Sequence, residues 1–117
     1  MRIKEYNLKI GATQVYAPIH KILSVQAVGE KIKLWVEVDS KHRKNYFIFF
    51  TVENDVNLKQ IPNFQYAKYM NTVIFKDKPL HIYCFHATDK AFLSKDIEER
   101  MRVFQEAIEG TLFKEDN

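Results

Sequence analysis

Four apolar residues at strict period two, Ile32, Leu34, Val36 and Val38, follow the pair Gly29-Glu30 and precede the turn-forming Asp39 and Ser40. Alternation of that kind buries one face of a strand and wets the other, and it is incompatible with the 3.6-residue period of a helix. Upstream, Leu23, Val25 and Ala27 alternate with Ser24 and Gln26, so Gly29-Glu30 stands where a two-residue hairpin loop would join two strands. The outward face of the second strand carries Lys31, Lys33, Glu37 and Asp39, with Trp35 in their midst. Trp35 has two readings: a ring covered by a later element or by lysine stems, or an anchor for a partner or a flat ligand.

The rest of the chain extends the β pattern. Tyr6, Leu8 and Ile10 alternate with Asn7 and Lys9, and Gly11-Ala12 offers a turn. Val15–Ala17 ends at Pro18, which cannot donate to a central ladder, so this piece belongs at an edge or in a connection. Tyr46–Val52 is apolar on both faces and is expected to be central, with both sides covered. After a polar loop containing Pro62, Tyr66–Phe75 and Leu80–Phe85 read as a hairpin around Lys76–Pro79. At Ser94 the pattern changes to a helix over 91–110, with Asp96, Glu98 and Glu99 in its first turn, an Ile97-Met101-Phe104-Ile108 stripe, and Gly110 at its end. The expected fold is mainly β (α+β): an antiparallel meander of six to seven strands, coiled into a small barrel or sandwich, with one C-terminal helix. A single domain spans 1–117, with a β-rich core over 1–88 and a tail over 111–117. The helix is expected to cover Trp35 and the second apolar face of Tyr46–Val52.

Composition narrows the function classes. With 46% hydrophobic and 28% charged residues and only three Gly and three Pro, the 117-residue chain is neither disordered nor collagenous. The net charge of +3 is small for a dedicated nucleic-acid binder, yet it is unevenly spread. Residues 1–44 hold nine basic and four acidic groups, whereas residues 91–117 hold four and seven. The densest basic run, Lys41-His42-Arg43-Lys44, is expected at a hairpin tip, where Lys41, Arg43 and Lys44 would grip phosphates beside a stacking Tyr46, or else form a solvated turn. A lone cysteine, Cys84, fits a reducing compartment, and with no apolar run near twenty residues a cytoplasmic address and no membrane partner are expected.

Catalytic signatures are sparse. His86-Ala87-Thr88 is a single His-x-Thr, and His20, His42 and His81 supply no second copy. Cys84 and His86 share a strand face but stand roughly 6 to 7 Å apart at that spacing, beyond a hydrogen bond. The histidines lack zinc-site spacing, and Gly11, Gly29 and Gly110 form no phosphate loop. No catalytic, cofactor-binding or metal-ligating residue is expected, and the chain is read as a non-enzyme.

Ile22-Leu23-Ser24-Val25-Gln26, then Leu34-Trp35-Val36-Glu37-Val38-Asp39, then Tyr69-Met70-Asn71-Thr72-Val73 resembles, in that order, a family of small uncharacterised proteins of tailed bacteriophages. That pattern has Leu-Ser-Val-Gln, Leu-Trp and Tyr-x-Gly-Thr-Val strands; Asn71 stands here in place of the glycine. The resemblance covers roughly residues 2 to 85 and implies a β fold and a phage origin, with no activity attached. The first functional expectation is therefore a non-enzymatic phage accessory protein that binds a host protein stoichiometrically, as an inhibitor or modulator of host function or defence, in the bacterial cytoplasm. The second is a binder of nucleic acid or a nucleotide signal through Lys41, Arg43 and Lys44, with Trp35 or Tyr46 stacking. Self-association is a further expectation, because the apolar faces exceed what one small core needs.

Overall fold

The computed structural model describes residues 1–60, 64–87 and Arg102, and its elements are seven strands and two 3-10 turns. The strands are β1 (Arg2–Leu8), β2 (Gly11–Ala17), β3 (Ile19–Val28), β4 (Lys31–Val38), β5 (Asn45–Val52), β6 (Lys68–Phe75) and β7 (Lys78–Ala87). The 3-10 turns, Leu58–Gln60 and Phe64–Tyr66, lie between β5 and β6. All strand pairing is antiparallel, in a three-stranded sheet ordered β1-β4-β3 and a four-stranded sheet ordered β2-β5-β7-β6. The sheets do not close into a barrel.

The order also corrects the expected meander. Only β3-β4 and β6-β7 are hairpins between sequence neighbours; β1 crosses to β4, β2 to β5, and β5 to β7. Both hairpins have two-residue loops, with Val28 opposite Lys31 and Phe75 opposite Lys78. Gly29 takes φ +59° in the first, and Lys76 and Asp77 take φ +50° and +65° in the second, the left-handed pair that matches strand twist. The helix expected over 91–110 lies, apart from the single position Arg102, outside the described residues.

The alternation in β4 sends Ile32, Leu34, Val36 and Val38 inward, where they meet Phe47, Phe49, Leu80, Ile82 and Cys84 of the other sheet. This core, between the facing sheets, extends to Leu8, Val15, Val25 and Val73. β5 is central, as its two apolar faces require, with β2 and β7 as neighbours. Its outer residues Ile48, Phe50 and Val52 form a second buried cluster with Ala12, Val56 and Phe85. The connection after β5 folds back and packs Leu58, Phe64 and Ala67 onto that face; the helix expected to cover it lies, apart from Arg102, outside the described residues. One long edge is tied by Asn71, whose Nδ2 donates to the Val25 carbonyl at 2.9 Å, beside register shifts in both β3 and β6.

Candidate functional site

Period two carries the inward face of β1 back from Leu8 and Tyr6 to Lys4 and Arg2, which pair with Val36 and Val38 of β4. Leu8 is buried and Tyr6 packs on the core, but Lys4 and Arg2 are exposed. The core thus stops at one end of the sandwich, and inward-phased positions there carry cations. Around them lies a groove of ≈ 380 Å³ lined by Met1, Arg2, Lys4, Pro18, Val38, Ser40, His42 and Lys44. That volume falls within the roughly 300 to 1,000 Å³ of small-molecule sites. Among the described residues, no carboxylate lines it.

The wall contributed by 39–44 is a connection between sheets. β4 and β5 belong to different sheets, so the Lys41–Lys44 run is not a hairpin tip, as the sequence implied, but a crossover. Asp39 organises it: the His42 amide donates to the Asp39 carbonyl at 2.9 Å and the Lys41 amide to Asp39 Oδ1 at 3.0 Å. The Asp39 amide in turn donates to the Pro18 carbonyl at 3.1 Å, fixing the crossover to the junction of β2 and β3. Asp39 Oδ1 is thereby engaged in a local turn, while the carboxylate keeps its charge.

Lys44 is shared between the groove and an aromatic pair. Its Nζ sits 5.9 Å from the centroid of the Tyr16 ring, within cation–π range. Tyr16 and Tyr46 are register partners on the outer face of β2 and β5, with centroids 4.4 Å apart and planes tilted by 38°. Of the residues singled out in the sequence, Lys44 and Tyr46 thus meet; Lys41 and Arg43 are exposed on the same crossover but do not line the groove. Trp35 lies elsewhere, half-buried on the outer face of the three-stranded sheet, between Glu5 and Ser24 in register.

At the rim, His42 Nε2 lies 2.6 Å from His20 Nδ1, and His20 Nε2 lies 3.7 Å from Glu37 Oε1. Rings stacked face to face keep their atoms near a van der Waals separation of about 3.5 Å, so the two imidazoles meet edge on and share one proton between facing nitrogens.

Among the described residues, Cys84, His86 and His81 do not converge on one point. Cys84 and His86 fall on the opposite face of β7 from His81, by strand alternation. Burial pushes the Cys84 thiol up to about 12, despite the opposing influence of Lys68. His86 stacks on Phe47 with centroids 4.4 Å apart, and burial followed by the Lys68 charge lowers its pKa. Both His81 nitrogens are engaged: Nε2–H donates to Asn54 Oδ1 at 2.6 Å, and Nδ1 lies 3.0 Å from the Thr72 hydroxyl oxygen. The Thr72 hydroxyl is also hydrogen-bonded to the Tyr69 hydroxyl at 2.6 Å. Among the described residues no group of three or more His, Cys, Asp and Glu could hold a metal ion, and no helix is long and apolar enough to cross a membrane.

Sequence reasoning missed Arg2, Lys4 and Tyr16. The signal was present in part, since Arg2 and Lys4 are in phase with Tyr6 and Leu8 and so occupy core-side positions with cations. Comparison with known proteins finds one family model, described as Domain of unknown function (DUF7352), that matches residues 1–92. No curated protein and no solved structure matches the chain.

Proposed function

From the premise that the chain belongs to the DUF7352 family of domains of unknown function, we propose that it is a non-enzymatic binding protein whose groove takes phosphate-bearing ligands, nucleic acid in the first instance. The observation that carries this reading is the placement of Arg2, Lys4 and Lys44 around one recess with no carboxylate among its described lining residues. Phosphate oxygens are satisfied by such cations and by hydroxyl and imidazole donors, which Ser40 and His42 supply at the same wall. The two basic side chains beside it, Lys41 and Arg43, add to the attractive field and to the rate of encounter.

Fluorescence anisotropy with a labelled oligonucleotide at rising salt tests the reading. Affinity falls steeply with ionic strength, and Lys44→Ala flattens the log-log slope by about 0.7 on a single strand, the value for one neutralised phosphate. Salt-independent binding, or an unchanged slope in Arg2→Ala, Lys4→Ala and Lys44→Ala alike, contradicts it.

A second reading is stoichiometric contact with a host protein by a phage accessory protein in the bacterial cytoplasm. It is favoured by Ile3, 67% exposed on the same outer face as half-buried Trp35 and diagonal to it across β1 and β4. Under this reading Ile3→Glu abolishes capture of the partner, whereas charge changes in the groove leave it intact.

A further inference from the structure

We propose that the groove is built for single-stranded rather than duplex nucleic acid, with Tyr16 as the platform on which an unpaired base stacks. The inference rests on the phosphate-binding reading of the groove and adds the class of strand. Tyr16 stands on an edge strand of its sheet and is 53% exposed. Its ring is nonetheless held in place, by Tyr46 at 4.4 Å and by the Lys44 ammonium at 5.9 Å from its centroid. An exposed aromatic surface that is already oriented loses little further freedom when a base covers it.

Lys44 gives the geometry its meaning, because the same side chain lines the phosphate groove and lies against the ring. A strand whose backbone follows the cations therefore brings a neighbouring base to Tyr16. Only an unpaired base has a free π face for this, since a base inside a duplex is stacked on both sides and must be flipped out first. The cations support the same choice: Arg2 and Lys4 come from core-side positions of β1 and sit in a recess. A flexible single strand enters such a recess, whereas a duplex presents its phosphates on a rigid convex surface and is read by elements that project into its grooves.

Anisotropy titrations of the full chain with single-stranded DNA, single-stranded RNA and the duplex of the same sequence, at low salt, decide the matter. A single strand of either sugar binds more tightly than duplex. Tyr16→Ala weakens single-strand binding by about 5- to 150-fold, the range for one base–aromatic stack, and Tyr16→Phe restores it. Because Tyr16 carries no phosphate contact in this account, the salt slope of Tyr16→Ala equals that of the wild type. Circular dichroism melts confirm that both variants are folded. Duplex affinity equal to that of the single strands, or a Tyr16→Ala variant that binds like the wild type, overturns the inference and leaves the groove reading standing. Failure of every oligonucleotide to bind overturns both.

Discussion

Thr51, next to the end of β5, is fully buried, and among the described residues its hydroxyl has no hydrogen-bond partner. An unpaired buried hydroxyl costs about 1 to 3 kcal/mol, so Thr51→Val, which keeps the shape and removes the donor, raises stability by about 1 kcal/mol in urea unfolding. Cys84 is the opposite case, a polarisable group content among apolar neighbours in its neutral form. With its pKa pushed up to about 12 by burial, the thiol stays unreactive toward a disulfide reagent at mildly alkaline pH until the protein is unfolded. The linkage sign follows from the same shift. A folded pKa above the unfolded one contributes stability that is complete below the thiol's ordinary range and declines as pH rises toward about 12. Urea titrations across that window show a smaller decline in Cys84→Ala. His86 has the reverse sign: its lowered pKa favours the neutral ring, so its contribution is present above the ordinary imidazole range and fades as pH falls. Lys68→Met raises the His86 midpoint, read by NMR, by removing the smaller of the two causes.

At the scale of elements, stability concentrates in the two faces of β5. Phe50 is fully buried under the connection that follows the strand, touching Phe64 and Phe85 at 6.4 Å centroid separations. Phe50→Ala is expected to cost about 3 to 5 kcal/mol, and the half-exposed Phe64 less. In the β6-β7 hairpin, Lys76 holds a left-handed backbone that asparagine adopts at lower cost, so Lys76→Asn gains about 0.5 to 1 kcal/mol by the same unfolding assay. Strand content was legible because it is written locally: β4 alternates cleanly, β2 stops at Pro18, and β5 is apolar on both faces. Partner choice was not, since β1-β4 and β2-β5 pairing depends on which distant strand completes a core, and alternation is silent about that. The covering of β5 escaped for a related reason. Leu58, Phe64 and Ala67 lie in a polar stretch without periodicity, and their joint apolar surface exists only once the connection folds back.

For the molecule as a whole, the groove is a product of topology. Arg2 and Lys4 are near in space to Lys44 because β1 pairs with β4 and the crossover to the second sheet begins where β4 ends. The basic run at 41–44 was visible in the chain, but its partners were not, as they are some forty residues away. Five of the nine basic side chains of residues 1–44, namely Arg2, Lys4, Lys41, Arg43 and Lys44, are thereby gathered at one end of the sandwich, leaving Trp35 and Ile3 on a separate face. Two surfaces with different chemistry make different demands on a partner, and residue-resolved mapping tells them apart. The most direct test is an NMR titration of isotope-labelled protein with a short single-stranded oligonucleotide at low salt. The account predicts shift changes confined to Arg2, Lys4, Tyr16, the 39–44 crossover and Tyr46; changes centred on Ile3 and Trp35, or none anywhere, would contradict it.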